Sequence, residues 1–223
     1  MFRSLAPVSA ALILAVGAVS LTARAGAPAA VTLPAPATDF LAQRPASLDT
    51  AVFAGGCFWG IEAVFEHTKG VRSAVSGYTG GTTTAPSYED VSTGTSGHAE
   101  AVRVVYDPSV VTYGQLLQVF FSVAHDPTEL NRQGPDHGTQ YRSAIFYRNK
   151  DQQRVAGSYV KQLADARVYR SPIVTQIVPL ATFYVAENYH QDYMVHHPDQ
   201  AYIVYNDAPK VEHLKQQFPA LYQ

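Results

Sequence analysis

From Asp49 onward the apolar positions fall into short runs and helical repeats, separated by glycine, proline and polar clusters. Ala51-Val52-Phe53-Ala54 is an apolar run of the length a buried strand uses, and Gly55-Gly56 breaks it. Beyond Trp59, the residues Ile61, Val64 and Phe65 recur at helical spacing, with Glu62, Glu66 and His67 on other faces, so a helix is expected. Ala101 to Tyr106 alternates imperfectly as a strand and puts Glu100 near its start. Thr112 is an expected N-cap with Gln115 three residues on, a capping box ahead of Leu116, Leu117, Phe120 and Phe121. That helix should end near His125-Asp126-Pro127. Ser143 to Tyr147 reads as a strand, Lys150 to Ala166 as an amphipathic helix, and the β-branched stretch Ile173 to Val178 as another strand. Glu187 to Val195 has helical character, and Pro209 to Phe218 reads as a short terminal helix. This mixed order predicts an α/β or α+β domain.

The segment before Asp49 carries a different pattern. Arg3 precedes an apolar run from Ala6 to Leu21, and Ala23-Arg24-Ala25 has the small-x-small form of a cleavage site. Residues 1–25 are therefore expected to be a signal peptide, the mature chain starting at Gly26 in the periplasm or outside the cell. An uncleaved N-terminal membrane anchor is the alternative, although the run is short for a span. Residues 26–47 are rich in Ala and Pro and read as a flexible linker. Residues 48–223 are left as a single folded domain.

Composition and charge narrow the function classes. The chain is 47% hydrophobic with a formal net charge of −2, and no basic stripe exists to track phosphates, so nucleic acid is not expected as a partner. Its one cysteine, Cys57, excludes an intramolecular disulfide and any CxxC site. His196-His197-Pro198 lacks metal-ligand spacing, so these histidines and His190 are expected to pack or face solvent, and no metal is expected.

Cys57 falls at a strand–turn–helix junction. Unpaired N–H groups in the first turn of a helix favour an anion, so a depressed thiol pKa is expected. The two preceding glycines leave room for another molecule to approach the sulfur, and Phe58 and Trp59 offer rings on which a methyl-thio group packs well. The same residues also suit a tight turn followed by core aromatics.

Gly56-Cys57-Phe58-Trp59-Gly60 resembles the signature of the peptide methionine sulfoxide reductase A family. Three more blocks match in order: Gly77-Tyr78-Thr79-Gly80-Gly81 with Pro86 to Val91, Gly97 to Val102, and His125 to Thr128 with Asn131 to Gly134 and Asp136 to Ser143. The resemblance runs from about Ala51 to the C-terminus. It implies a single-domain α/β sandwich with a ferredoxin-like mixed sheet, helices and long loops.

The resemblance also implies roles. Cys57 would attack the sulfoxide sulfur, and Glu100 would protonate the departing oxygen from an apolar setting that raises its pKa. Tyr88 and Tyr141 would donate to that oxygen, Asp136 would order the polar cluster, and Phe58 and Trp59 would bind the substrate methyl group. The implied reaction is reduction of free and peptide-bound methionine S-sulfoxide through a Cys57 sulfenic acid, with repair of oxidised exported proteins as its purpose. Many family members resolve the sulfenic acid with C-terminal cysteines. Here Ile203 follows Tyr202 where such a thiol would stand, as in the branch without resolving cysteines. No bound cofactor is expected, the chain is expected to act as a monomer, and an external thiol (a thioredoxin-like protein or a small thiol) would recycle Cys57. Two alternatives remain open: a cysteine hydrolase using His98 or His137, and a redox sensor or sulfoxide-binding module.

Overall fold

The structure is a computed structural model that describes residues 33–39 and 47–223. The signal peptide expected over 1–25 lies outside the described residues, as does most of the linker. Asp49–Ala54 (β1) is a central strand of a six-stranded sheet. It is flanked antiparallel by Ala99–Tyr106 (β3) and Ala144–Tyr147 (β6). Val71–Thr79 (β2) and Tyr184–Val185 (β8) extend one side antiparallel, and Gln176–Pro179 (β7) closes the other, parallel to β6. The mixed α/β domain expected from the element order is the one found.

Alternation along β1 separates two apolar faces, which explains its unbroken hydrophobic run. Ala51 and Phe53 join the main core beneath the helices, where Phe53 stacks on Phe65 and Phe120 at centroid distances of 5.2 and 4.9 Å. Val52 and Ala54 face the other way, into a smaller cluster with Ala99, Ala101, Ala144 and Phe146 under Leu180 and Phe183.

The helices follow from their caps. Thr112 and Gln115 form the expected capping box at the start of Tyr113–Val119, with bonds of 3.2 and 2.9 Å. That helix continues as a π turn over Phe120–Ala124 and stops at His125, where the chain becomes extended. Asn149 caps Lys150–Asp165, and Ala208–Gln217 is the terminal helix, close to expectation. The helix expected over Glu187 to Val195 is instead a 3-10 turn, Asn188–His190, and a short helix, Tyr193–His196. Between them Asp192 sits at φ +52, a left-handed conformation that ends any continuous helix. The strand expected from Ile173 is shifted to Gln176–Pro179, and its terminal proline is tolerated because β7 is an edge.

Residues 33–39, within the stretch expected as flexible linker, lie on the helical face of the domain. Leu33 is buried, Tyr159 Oη donates to the Pro34 carbonyl at 2.9 Å, and Gln162 bonds both Ala35 O and Ala37 N. Asp39 accepts from Thr112 Oγ1 and from Gly114 N. The composition of this segment gives no apolar periodicity, but its carbonyls accept from side chains of two helices, Gln118 Nε2 reaching Leu33 O at 3.0 Å and Tyr159 and Gln162 reaching Pro34 and Ala35. Among the described residues no helix is long and apolar enough to cross a membrane.

Candidate active site

The sheet delivers the site through the turn that follows β1. Gly56 takes φ +98, and a Cβ there would come within 2.5 Å of Gln133 Cγ, so both conformation and space require glycine. Cys57 is the N-cap of Phe58–Glu66 (α1) and is only 8% exposed. Glu100, the second residue of β3, is 2% exposed and accepts a hydrogen bond from Phe58 N at 3.1 Å. The cysteine and the carboxyl are thereby tied through adjacent backbone.

Burial dominates the electrostatics. It pushes Glu100 up to about 8, with the charges of Asp136 and Asp207 adding to the rise and the Phe58 N–H opposing it. Burial therefore favours the protonated carboxyl of Glu100 through most of the neutral range, the raised pKa that the resemblance implies, although acidic groups as well as burial produce it. The expectation for Cys57 is overturned. Burial first, then Glu100 and Asp207, drive its thiol well above the ordinary value, and the Trp59 amide and the Lys210 ammonium offset only part of this. A helix N-terminus favours an anion by a fraction of what desolvation beside two acidic groups costs.

The other sequence-derived residues gather round this pair. Tyr141 ends the 3-10 turn Thr139–Tyr141; burial, then Glu100, Asp136, Tyr88 and Cys57, raise its phenol well out of the ordinary range. Tyr88 opens the short helix Tyr88–Ser92 behind a Ser87/Asp90 capping box, and its phenol is raised by burial and then by Glu100. Asp136 lies on the two-residue strand Asp136–His137 (β5), paired with Arg132–Gln133 (β4). Burial raises its carboxyl, while Tyr202 and Lys210 lower it. Both phenols stay neutral and can donate to a developing oxyanion.

Phe58 and Trp59 form an aromatic wall with His190, Tyr193 and Tyr202, none of which the sequence placed at the site. The buried ring of His190 lies 4.9 Å from Phe58 and 4.6 Å from Tyr88, and its Nδ1 accepts from Trp59 Nε1 at 3.2 Å. Accepting at Nδ1 places the ring proton on Nε2, and burial lowers the ring's pKa, so His190 is neutral at pH 7. Trp59 stacks on Tyr193 with centroids 3.7 Å apart and planes 5° from parallel, and Tyr202 meets its edge. His190 is thus a packing histidine, as expected, but its packing partners are residues of the site.

Three further residues were not read as part of the site. Tyr202 Oη donates to Asp136 Oδ2. Asp207, fully buried, accepts from the buried Lys210 Nζ at 3.0 Å through Oδ1, while its Oδ2 has no hydrogen-bond partner among the described residues. This pair presses on the first turn of α1: a Cβ on Gly60 would overlap Asp207 Oδ1 and lie 2.8 Å from Lys210 Nζ. In the sequence, Asp207-Ala208-Pro209-Lys210 reads as an ordinary helix start. Only the packing of the terminal helix on α1 buries the pair.

A thiol beside a protonated carboxyl, two neutral phenols and an aromatic wall can attack an electrophilic atom whose departing oxygen takes up a proton. Among the described residues no group of His, Cys, Asp or Glu could hold a metal ion. The family model described as peptide methionine sulfoxide reductase matches residues 49–221. The peptide methionine sulfoxide reductase MsrA 2 of Mesorhizobium japonicum is 63% identical over 174 residues, 78% of this chain and 89% of the relative. MsrA of Deinococcus radiodurans is 49% identical over 176 residues, 79% of this chain and 85% of the relative. Among solved structures, methionine sulfoxide reductase A of Corynebacterium diphtheriae has 38% identity and a TM-score of 0.59, covering 78% of this chain and 87% of its own. Reduced Mxr1 from Saccharomyces cerevisiae has 34% identity and a TM-score of 0.65, covering 70% and 89%.

Proposed function

This chain belongs to the peptide methionine sulfoxide reductase family as an oxidoreductase of the A type, and from that premise we propose that it reduces methionine S-sulfoxide with Cys57 as nucleophile and Glu100 as acid. The observation that carries this reading is the buried Glu100 carboxyl, raised to about 8 and tied to the residue after Cys57.

The Phe58 N–H donates to Oε2, which leaves Oε1 of Glu100 to carry the acidic proton. As the sulfur of Cys57 attacks the sulfoxide sulfur, Glu100 gives its proton to the sulfoxide oxygen and takes up the proton the thiol releases. The hydroxyl then passes from the methionine sulfur to Cys57 as the bond between the two sulfurs breaks, and methionine is released. Methionine sulfur is reduced by two electrons, Cys57 sulfur is oxidised by two to the sulfenic acid, and no proton is gained or lost overall. Relay through one carboxyl also supports attack by a thiol whose own pKa is high, because thiolate need not accumulate beforehand. Tyr88 and Tyr141 donate to the oxygen as charge builds, Asp136, which accepts from Tyr202 Oη, helps order the polar cluster, and Phe58 and Trp59 hold the methyl group.

With one cysteine in the chain, recycling needs an outside thiol. One external thiol displaces the hydroxyl as water and forms a mixed disulfide with Cys57; a second thiol breaks that bond and returns the cysteine. A thioredoxin-like protein or a small dithiol supplies both equivalents. The leader-like residues 1–25 support export and repair of oxidised proteins outside the cytoplasm.

Turnover of separated S and R epimers of a blocked methionine sulfoxide, with dithiothreitol, tests the reaction. Consumption of the S epimer alone, lost in Cys57→Ser, is the expected result. Ester or amide hydrolysis without reductant, or no turnover by folded protein with a titratable thiol, would replace this reading with the hydrolase or sensor alternatives.

A further inference from the structure

Glu62 is a buried carboxyl with no part in the reaction outlined above. It lies one helical turn beyond Phe58 on the same face of α1 and is 1% exposed. Its Oε1 accepts from Ser76 N of β2 at 3.0 Å, and its Oε2 accepts from Asp192 N at 3.1 Å. The second bond reaches the segment that carries His190 and Tyr193.

Asp192 holds the left-handed conformation, at φ +52, that separates the Asn188–His190 turn from the Tyr193–His196 helix. It makes no side-chain cap of its own. A non-glycine residue in that region persists only where its surroundings hold it. The side chain of Gln191 supports the same segment, accepting from Ser76 N at 3.0 Å and donating to Ser76 O and Ala186 O at 3.1 and 3.0 Å. Two residues before Asp192, His190 accepts from Trp59 Nε1; one residue after it, Tyr193 stacks on Trp59. Trp59 and Glu62 on α1 thus meet His190, Asp192 and Tyr193 in a closed ring of contacts.

We infer that Glu62 is a positioning residue: its carboxylate, accepting from the amides of Ser76 and Asp192, fixes the 188–193 segment so that His190 and Tyr193 hold Trp59 in the geometry that binds the substrate methyl group. The ionised form suits this task because each oxygen accepts one N–H, and protonation would convert one acceptor into a donor. Glu66 and Asp192 are the acidic groups facing it, and burial, resisted by the Ser76 bonds, pushes Glu62 up to about 7.

The inference rests on the reductase reading for its kinetic arm only. Trp59 is the single tryptophan of the chain, so its fluorescence reports the wall directly and without substrate. Full-length Glu62→Gln presents an amide NH2 to one of the two N–H donors. It should shift Trp59 emission to the red and raise KM for a blocked methionine S-sulfoxide about tenfold, with kcat within about twofold. Glu62→Asp keeps the charge but draws it back from both amides; it carries the same expectation and serves if Glu62→Gln does not fold. Unchanged emission with unchanged KM in a folded variant, or a fall in kcat at constant KM, would overturn the inference. If the native protein reduces no sulfoxide, the reductase reading fails and the emission result alone decides the role of Glu62.

Discussion

The amide of Phe58 donates to Oε2 of Glu100 across 3.1 Å, so the residue that follows the only cysteine anchors the carboxyl proposed as the acid. One hydrogen bond between a helix start and a strand start therefore sets the spacing of nucleophile and proton donor. It also divides the two carboxyl oxygens between structure and chemistry.

Glu100→Gln keeps the acceptor for Phe58 N–H and removes the proton. We expect the rate of methionine formation to fall by about 10²- to 10⁴-fold, the usual contribution of a positioned acid, with the fold intact. Single-turnover kinetics alongside a melting curve check this. A rate within a few-fold of the native protein would remove Glu100 from the mechanism.

Stability should depend on pH with a sign fixed by three buried groups. Burial pushes Glu100 up to about 8 and Glu62 up to about 7 in the fold against an ordinary value of 4.5, so the folded chain keeps protons that the unfolded chain releases. Their contribution is fully present below about 4.5 and is lost as pH rises through about 8. His125 runs the other way: burial lowers it to about 4 from 6.5, so its contribution is lost as pH falls through that window. Above about pH 6.5 only the carboxyl effect remains. The melting temperature should fall between pH 6.5 and 8, and Glu100→Gln should flatten the slope.

The Asp207–Lys210 pair should behave as a buried ion pair. Lys210→Met leaves the fully buried Asp207 without its cation, which costs about 3–5 kcal/mol in such settings. Adding Asp207→Asn removes the orphaned charge and should recover more than half of that loss. Urea denaturation of the two variants decides it; equal destabilisation of single and double variants would show that lost packing, not charge, is responsible.

How much of this was legible in the chain depended on whether the signal was local. The capping box of Thr112 and Gln115 and the apolar run of β1 are short-range patterns, and both elements stand where the pattern put them. β2 went unread because its chain carries Arg72, Ser73 and Ser76 with a register shift between Val71 and Ser73, so no clean alternation marks it. Within the site, the Gly56 to Gly60 block and Glu100 could be found from motif alone. Asp207, Lys210 and the partners of His190 could not, because their meaning comes from which surfaces meet across the fold. The depressed thiol pKa expected for Cys57 failed for the same reason: a helix N-terminus is visible in sequence, whereas burial beside Glu100 and Asp207 is not.

Residues 33–39 should add measurable stability although their composition resembles a linker. Leu33 is 4% exposed, and the Lys150–Asp165 helix donates to the carbonyls of Pro34 and Ala35 beside it. Leu33→Ala should destabilise the domain by about 2 kcal/mol, the low end of the range for a buried leucine, because the segment can part from the core locally. Chemical denaturation checks it, and a change under a few tenths would mean that this segment is bound too loosely to matter.

The most direct test of the proposed chemistry is a single turnover without any reducing thiol. Reduced full-length protein is mixed with excess methionine S-sulfoxide, methionine is counted per chain, and the protein is weighed by mass spectrometry with and without dimedone. The account predicts one methionine per chain, a mass gain of one oxygen atom, and a dimedone adduct confined to Cys57. Methionine formed without oxidation of Cys57, or a sulfenic acid formed without methionine, would contradict it.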